Sequence, residues 1–524
     1  MDNSKAMSNN INHKPRIGKG LINMLMFQMY GDEKLIYREY IQNARDAIND
    51  AVKEGLLEDI TSGCISITIN PTNKFIKIRD NGTGISVSKV ESVLLNIADS
   101  NKDGETSAGQ FGIGRLVGGY FCKELSFKTS FYGEDCASEI IFDIDKIKSI
   151  LNDDNNDDDA TEVISKSTSL NLFEENKNEH YFEVTLRDVD DKEYPTLLDQ
   201  EKIYDYLKEV APVDYSAQFK NQLINTSVNN EYKELQNNVG HFKISVNGCF
   251  IEKGYGLRIK GTDDVINSLE YFSLQDESYG LLAWGWYALT NFTKAIPIAD
   301  NNSNFRLRKH NIQVGDSEML SPFFKEKRGN KYFYGEIHIV NSKVKLNSAR
   351  DGLAPTPEGE CLKRKIKEQF DQLTYLYYFA NKTKNAVKQY NEAYDKLYSG
   401  KLTSDSEIKT ATDELKKAEN NLNSISKKAS GDSATKKVFN SYEQQINSID
   451  SPKNTNLLKT PHATSNGQQT RIEIEDPFEE LIDKYSKENI RLIRKICELY
   501  LKNCPNSNRK LIEELQKKVL KELS

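Results

Sequence analysis

The stretch that most constrains the fold is residues 35–48, LIYREYIQNARDAI, which has the pattern of an amphipathic helix without internal Gly or Pro. Glu39, Asn43 and Asp46 are four and three residues apart, so a helix places a carboxylate, an amide and a second carboxylate on one stripe. Apolar neighbours partly withdraw such groups from water. A polar group that is buried without a hydrogen-bond partner is energetically unfavourable, so these groups are expected to have partners. By itself the stripe favours an ordinary amphipathic helix that carries surface charges, because such helices are common.

A second motif follows a predicted strand. Residues 75–79 alternate between apolar and polar and run directly into DNGTGI at residues 80–85. Gly82 and Gly84 let the backbone approach a flat ligand closely. A carboxylate at the end of the strand, Asp80, can accept a hydrogen bond from an exocyclic amine. Taken alone, the motif is also compatible with a simple hairpin turn.

A third motif is a glycine-rich turn that leads into an apolar run. Backbone N–H groups in such a turn suit phosphate binding at a helix N-terminus. The three motifs in this order are far more specific than any one of them. The residues of the turn are Gly109, Gln110, Phe111, Gly112, Ile113 and Gly114.

Together these motifs resemble the nucleotide-binding fold of the GHKL superfamily, which includes gyrase, heat-shock chaperones, histidine kinases and MutL. The turn at 109–114, with IADS at 97–100 before it, is most similar to the HtpG-type (heat-shock protein 90-like) chaperones. The resemblance implies an α+β fold class: an N-terminal GHKL (Bergerat) α/β sandwich that binds ATP at 16–190, and an α/β, transducer-like middle domain at 191–355. The likeness ends near residue 355.

The same resemblance implies roles for individual residues. Glu39 would orient or deprotonate the attacking water, Asn43 would be a Mg²⁺ ligand, and Asp80 would accept a hydrogen bond from adenine. ATP and Mg²⁺ are therefore the predicted cofactors of an ATPase.

Further nucleotide contacts are implied by position. A polar lid is expected over residues 99–107, where a lone lysine is also compatible with simple solvation. The family usually carries a Gly-Thr pair before the last apolar residues of the strand at 181–186, with the Thr hydroxyl near adenine; here 180–182 are His, Tyr and Phe. The remaining candidate contacts are Asp46, Gly82, Gly84, Ser100, Lys102, the turn at 109–114 and, as a substitute hydroxyl, Thr185.

The loop at 345–351, KLNSARD, resembles the Leu-Asn-x-Ser-Arg-Glu loop of the chaperones' middle domain, whose arginine reaches the γ-phosphate. Ala349 and Asp351 depart from that pattern, and Arg350 is retained. We predict that Arg350 acts across the two domains; the alternative is a structural salt bridge to a neighbouring carboxylate. A nearby cationic stretch could fill the same role: Arg306, Arg308 and Lys309.

Composition limits the remaining alternatives. The net charge of −7 gives no overall positive field for nucleic acid, although it leaves room for a local basic patch. No apolar run approaches the length of a membrane span. The seven cysteines are scattered and form no C-x-x-C pair, and residues 1–14 lack a signal-peptide core. This pattern predicts reduced thiols in a cytoplasmic protein and no zinc site.

The outer segments are predicted from composition. Residues 1–15 should form a flexible arm, and 16–30 a helix that either exchanges across a dimer, as in the resembled chaperones, or packs normally. Beyond residue 355 the composition shifts to Lys, Glu, Gln and Asn. It predicts a C-terminal α-helical region with a helical hairpin at 356–450, a linker at 451–475 and terminal helices at 476–524.

Three functions fit these observations. The first is a chaperone-like ATPase, a homodimer that closes on a protein client or effector and hydrolyses ATP slowly. The second is a nucleic-acid clamp similar to MORC or type II topoisomerase ATPase subunits. The third is a nucleotide-dependent scaffold in an anti-phage (antiviral) defence complex. The acidic charge, the Arg350 loop and the absence of a recognisable DNA-cleaving domain favour protein partners.

Overall fold

The computed structural model describes residues 17–27, 32–96, 114–262, 264–297, 300–347, 350–399, 401–429 and 433–446. The chain divides into two units, Met1–Leu457 and Leu458–Ser524, and every described residue belongs to the first. The predicted arm at 1–15, linker at 451–475 and terminal helices at 476–524 lie outside the described residues.

Two sheets are present among the described residues. The first contains β1 (Cys64–Asn70), β2 (Phe75–Asp80), β3 (Glu124–Ser130), β4 (Cys136–Asp143), β5 (Thr168–Glu174), β6 (Tyr181–Arg187), β7 (Lys243–Val246) and β8 (Cys249–Phe250). The second contains β9 (Ser268–Asp276), β10 (Gly280–Leu289), β11 (Asn304–Lys309), β12 (Ile312–Val314) and β13 (Tyr334–Ile339).

Helices cover these sheets and confirm the predicted α+β class. They are α1 (Gly20–Phe27), α2 (Leu35–Lys53), α3 (Val87–Leu95), α4 (Ile144–Asn152), α5 (Ala160–Lys166), α6 (Gln200–Val210), α7 (Ala217–Phe219), α8 (Asn225–Ser227), α9 (Asn230–Asn237), α10 (Pro357–Tyr398), α11 (Asp405–Ala429) and α12 (Ser433–Glu443). Within the described ranges, no helix is long and apolar enough to cross a membrane.

The first sheet has the order β5-β4-β3-β6-β2-β1-β7-β8. Strand β2 alternates as predicted, because Ile76 and Ile78 are buried in the core that the sheet shares with helix α2. Side chains alternate along a strand, so Asp80 points to the same helix-covered face. That face holds the candidate site.

The first sheet extends beyond the predicted domain boundary at residue 190. Strand β7 pairs in parallel with β1, from Cys64↔Lys243 to Ile67↔Val246. It adds Ile244 and Val246 to the first core. A parallel pair requires a crossover connection, and a strand of four residues carries no local signal for its partner. The boundary at 190 therefore does not separate the two sheets.

The second sheet, β12-β11-β13-β10-β9, shares a core with the long helix α10. The ring centroids of Phe305 on β11 and Phe370 on α10 are 4.9 Å apart. The range of the predicted hairpin, 356–450, contains helices α10, α11 and α12. Because all three contribute to the core of the sheet, residue 356 does not begin a separately packed domain.

Candidate functional site

Helix α2 brings the predicted polar stripe into the first core. Glu39 is 2% exposed and Asp46 is 4% exposed, and Asn43 between them is half-buried. Asp46 accepts a hydrogen bond from the Arg45 guanidinium at 2.9 Å. One amide therefore lies between two buried carboxylates on one side of the helix, as the spacing predicts.

The Asp80 loop packs tightly against helix α2. The Gly82 N–H donates to Asp80 Oδ1 at 2.8 Å, and the Thr83 N–H donates to the Ala47 carbonyl at 3.2 Å. A Cβ on Gly82 would lie 2.5 Å from the Cβ of Ala47, so a larger residue would force the loop away. Since Ala47 is one turn beyond Asn43, these contacts place Asp80 next to the polar stripe.

Beyond Gly82 the loop crosses the ends of strands β3 and β6. Gly84 has a φ of +67°, and a Cβ there would lie 1.8 Å from a carbonyl oxygen of β3. The Ile85 N–H donates to Thr129 Oγ1 at 2.8 Å, and His180 Nδ1 lies 2.8 Å from the Gly82 carbonyl oxygen. Gly84 is therefore required both by its positive φ and by close approach.

Arg350 reaches helix α2 from the loop between β13 and α10. Its Nη1 lies 3.0 Å from Glu39 Oε2, while Arg38 Nη2 lies 4.0 Å from Glu39 Oε1. The contact of Arg350 is an ion pair and not an aligned hydrogen bond, because within the described structure Nη1 has no acceptor at hydrogen-bonding distance and angle. A buried carboxylate thus lies between two guanidinium groups, one of them from a distant part of the chain.

The side chain of Asn347 bonds across the Arg350 loop. Asn347 Nδ2 donates to Asp351 Oδ1 at 2.6 Å, and Asn347 Oδ1 accepts from the Gly352 N–H at 3.2 Å. The Arg350 N–H donates to the Asn347 carbonyl at 3.1 Å, and the φ of Arg350 is +55°. These bonds fix the backbone from which the Arg350 side chain extends.

The alternative arginines on strand β11 have partners elsewhere. Arg308 is 1% exposed; its Nε donates to Glu336 Oε1 at 2.6 Å, and its Nη2 donates to the Glu209 carbonyl at 2.8 Å. Arg306 Nη2 lies 3.5 Å from the Glu209 carboxylate. Both arginines therefore tie the second sheet to helix α6, and the ion pair with Glu39 is made by Arg350.

Lys309, the third cation of this stretch, and His310 lie where β11 turns into β12, near Arg45 of α2. Burial, followed by the charges of Lys345 and Arg45, lowers the pKa of Lys309 to about 8. Burial, followed by the charges of Arg45 and Lys309, lowers the pKa of His310 to about 3. The imidazole is therefore neutral near neutral pH. Lys309 Nζ donates to the Val344 carbonyl at 2.6 Å. This bond holds the Lys309 side chain against the segment that follows β13.

Glu336 is the centre of a buried polar cluster that sequence reasoning did not find. Besides Arg308, it accepts hydrogen bonds from Lys253 Nζ at 2.8 Å and Tyr215 Oη at 2.5 Å, and His338 Nε2 lies 3.1 Å away. Burial alone raises the pKa of Glu336, but the Arg308 and Lys253 charges hold it well below its usual range. The members come from separate segments, so no local pattern reveals the cluster.

Thr185 is corrected as a candidate adenine contact. In the antiparallel pair of β2 and β6, Asp80 lies opposite Phe182, and Thr185 lies opposite Lys77. Paired residues share a face and neighbours along a strand alternate, so Thr185 faces away from Asp80. A hydroxyl three residues from Phe182 therefore cannot contact a ligand of Asp80.

Several predicted contacts lie outside the described residues: Ser100, Lys102, Gly109, Gln110, Phe111, Gly112 and Ile113. Gly114 begins a 3-10 segment, Gly114–Phe121. Sequence reasoning missed Arg38 and Thr129, and it noted His180 only as one of the residues standing where the family carries a Gly-Thr pair. Arg38 could have been found from its place beside Glu39, whereas the other two reach the site only through strand register and loop packing.

Comparisons with known proteins agree with this geometry. Residues 36–174 match the family model described as histidine kinase-, DNA gyrase B-, and HSP90-like ATPase. The chaperone protein HtpG of Fusobacterium nucleatum is 26% identical over 228 residues, which are 40% of this chain and 34% of that protein. HtpG of Oceanobacillus iheyensis is 27% identical over 228 residues, covering 40% and 36%. HtpG of Halalkalibacterium halodurans is 30% identical over 132 residues, covering 22% and 21%.

Residues 36–174 therefore match the GHKL superfamily, and the chain resembles the HtpG-type chaperones, as the motifs predicted. The likeness is partial: the matched region spans about a third of the length of the first of these relatives.

Proposed function

We propose that this chain is a heat-shock protein 90-like ATPase that binds ATP with Mg²⁺ beside helix α2 and hydrolyses it slowly. The observation that carries the proposal is the ion pair of Arg350 and Glu39, in which a cation from the loop between β13 and α10 meets a buried carboxylate within the region that matches the GHKL model.

The chemistry of ATP hydrolysis matches these two groups. The reaction needs a water in line with the γ-phosphoryl group and donors for the charge that develops on its oxygens. Glu39 would orient or deprotonate the water. Arg350 would meet the developing charge, since a guanidinium can bind phosphate oxygens with two parallel hydrogen bonds. Their separation of 3.0 Å means that one reacting phosphoryl group can be within reach of both.

The base and backbone contacts are proposed at the loop that packs on α2. Asp80 would accept a hydrogen bond from the exocyclic amine of adenine, and the chain at Gly82 and Gly84 approaches closely enough to line a flat ligand. Asp46, held by Arg45, would support the helix rather than touch the nucleotide.

The residues on α2 fit a magnesium ion that is bound mainly by phosphates. Mg²⁺ in nucleotide sites keeps several waters and takes only one or two protein oxygens. Within the described ranges, no group of three or more Asp, Glu, His or Cys side chains could form a complete metal cage. The half-buried amide of Asn43, one turn from Glu39, offers a single oxygen of the required kind. Bound there, the ion would neutralise phosphate charge.

Since Arg350 and Glu39 lie in different parts of the fold, turnover should depend on how those parts are arranged. We infer a slow ATPase whose hydrolysis accompanies clamp closure in a homodimer. The net charge of −7 supports a protein client or effector over nucleic acid. The scattered cysteines support action in the cytoplasm. Regulation of an effector in an anti-phage complex is one form of this proposal.

The test combines calorimetry with a phosphate-release assay on the full chain. Glu39→Ala and the isosteric Glu39→Gln should keep ATP binding and lose nearly all turnover. Glu54→Ala is the matched control, because Glu54 is an exposed carboxylate at the end of the same helix. Absence of nucleotide binding to the wild type over a range of Mg²⁺ concentrations would overturn the proposal.

A further inference from the structure

Asp80, Phe182 and Thr129 are direct neighbours across three strands of the first sheet. Asp80 of β2 pairs with Phe182 of β6, and Phe182 pairs with Thr129 of β3. Directly paired residues on one face have Cβ atoms about 5 Å apart. The three side chains therefore form one row, and the loop at 82–85 bonds to the end of that row through Ile85 and Thr129.

The hydroxyl groups near this row are committed elsewhere. Thr129 Oγ1 donates to the Tyr181 carbonyl at 2.9 Å and accepts from the Ile85 N–H at 2.8 Å. Thr185 lies on the opposite face of the sheet. The neighbour that β6 places beside Asp80 is therefore an aromatic ring and not a hydroxyl.

The ring of Phe182 is held by the core but is not enclosed by it. Its centroid lies 5.9 Å from that of Phe127, with 24° between the ring planes. Phe127 is fully buried, whereas Phe182 is half-buried. Phe182 thus packs against Phe127, and part of its surface stays accessible to solvent on the strand position opposite Asp80.

We propose that Phe182 is a base-contacting residue, whose ring packs against the purine while Asp80 accepts a hydrogen bond from its exocyclic amine. This inference rests on the proposed nucleotide binding and deepens it. Aromatic packing on a base is tolerant of base identity. A carboxylate can only accept hydrogen bonds, so it selects a base with an amine at that edge. Selectivity would then come from Asp80, and much of the affinity for the base from Phe182.

Calorimetry on the full chain with Mg²⁺ tests this division of roles. Phe182→Ala should lower the affinities for ATP and ADP by the same factor, about tenfold or more, because both nucleotides carry the base. Tripolyphosphate, which has no base, should bind Phe182→Ala and wild type equally. ITP, which lacks the amine, should bind the wild type more weakly than ATP, and Phe182→Ala should leave that ratio unchanged.

Two further variants keep the test decisive. Thr185→Ala alters the same strand on its opposite face and should leave all affinities unchanged. Phe182→Leu keeps an apolar side chain and replaces Phe182→Ala if that variant does not fold. It should show a smaller loss of affinity for ATP and ADP. If the wild type binds ATP and the Phe182 variants bind it equally well, the inference is wrong and the proposed function stands. If the wild type binds no nucleotide, both are overturned.

Discussion

Arg350 Nη1 and Glu39 Oε2 lie 3.0 Å apart, although Glu39 belongs to helix α2 of the first core and Arg350 to the loop between β13 and α10. The Arg350 side chain is 11% exposed and that of Glu39 is 3% exposed, so the pair is largely screened from solvent by protein. In such surroundings a charge left without its partner is costly. The pair therefore connects helix α2 physically to the loop between β13 and α10, and in the proposed function it also supplies the groups that act on ATP.

Removal of the Arg350 guanidinium should separate catalysis from binding. An arginine that stabilises charge on a transferred phosphoryl group contributes roughly a thousandfold or more to turnover. Arg350→Ala should therefore reduce phosphate release by orders of magnitude and make the ATP-closed state less populated. Affinity for ADP, which lacks the γ-phosphate, should change little. Calorimetry with ADP and a steady-state turnover assay measure the two effects.

The structure also selects the control for this variant. Arg308→Ala is unsuitable as a neutral control, because Arg308 is buried against Glu336 and its loss should destabilise the fold. Lys343→Ala removes an exposed cation a few residues before the Arg350 loop and should leave turnover unchanged. Full hydrolysis by Arg350→Ala would remove this arginine from the mechanism.

Asn347 should act as a positioning residue for Arg350. Its side chain bonds to Asp351 and to the Gly352 N–H, so Asn347→Ala should loosen the loop without removing the guanidinium. Misplacement of a catalytic group by about 1 Å can cost up to about a hundredfold in rate. We expect turnover to fall by about tenfold to a hundredfold, less than in Arg350→Ala, with ADP affinity unchanged.

The matched control for Asn347 is Asn341→Ala. Asn341 also bonds through its side chain, to the Tyr279 carbonyl and the Lys343 N–H, but lies outside the closed loop. Equal losses of turnover in both asparagine variants would show that general loosening, and not the position of Arg350, is responsible.

Glu336 should be far more important for stability than a surface carboxylate with the same local geometry. Arg308 Nε donates to Glu336 at 2.6 Å inside the protein, and Arg328 Nε donates to Glu326 at 2.6 Å on its surface. Loss of one partner of a buried ion pair typically costs 3–5 kcal/mol, i.e. about 4 kcal/mol, because the other charge is left uncompensated. Glu336→Gln should therefore lower the free energy of unfolding strongly in urea titrations, and Glu326→Gln should have little effect. Similar midpoints for the two variants would contradict this.

The parts of the site that depend on one element were predictable from sequence. The helical period places Glu39 and Asn43 on one side of α2, and the strand period places Asp80 on the helix-covered face of β2. Both periods belong to the backbone, so spacing alone reveals them. Arg350 was predicted differently, from a loop that resembles a known family.

The remaining parts depend on register and on distant pairing. Thr185 was misplaced because it is an odd number of residues from Phe182, and one step along a strand reverses the face. Strand β7 was assigned to the wrong side of a boundary because a short strand does not specify which edge it joins. Arg308 was considered beside Arg350 because sequence shows three cations close together but not the buried Glu336 that holds one of them.

Acid should weaken the fold through its buried histidines. His338 is 4% exposed, stacks on Trp284 with ring centroids 4.8 Å apart, and faces Glu336, Lys253 and Arg308. Burial is the main reason that its pKa is lowered from 6.5 to about 4, despite the opposing effect of Glu336. In the unfolded chain the imidazole takes up a proton below its ordinary pKa of about 6.5, while the folded chain does not until near pH 4. The stability that this histidine contributes is therefore complete above about pH 6.5 and is lost as the pH falls towards 4, by an amount on the order of 3 kcal/mol.

Urea titrations between about pH 6.5 and pH 5 measure this loss, because the buried Glu336 should titrate only at lower pH. Each such histidine should contribute a slope of about 1.4 kcal/mol per pH unit, and His310 should add to His338 since its pKa is lowered to about 3. His338→Gln should be less stable at neutral pH but should lose one histidine's share of the slope. An unchanged slope in His338→Gln would mean that this imidazole already accepts a proton in the folded protein, and that Glu336 compensates its charge within the cluster.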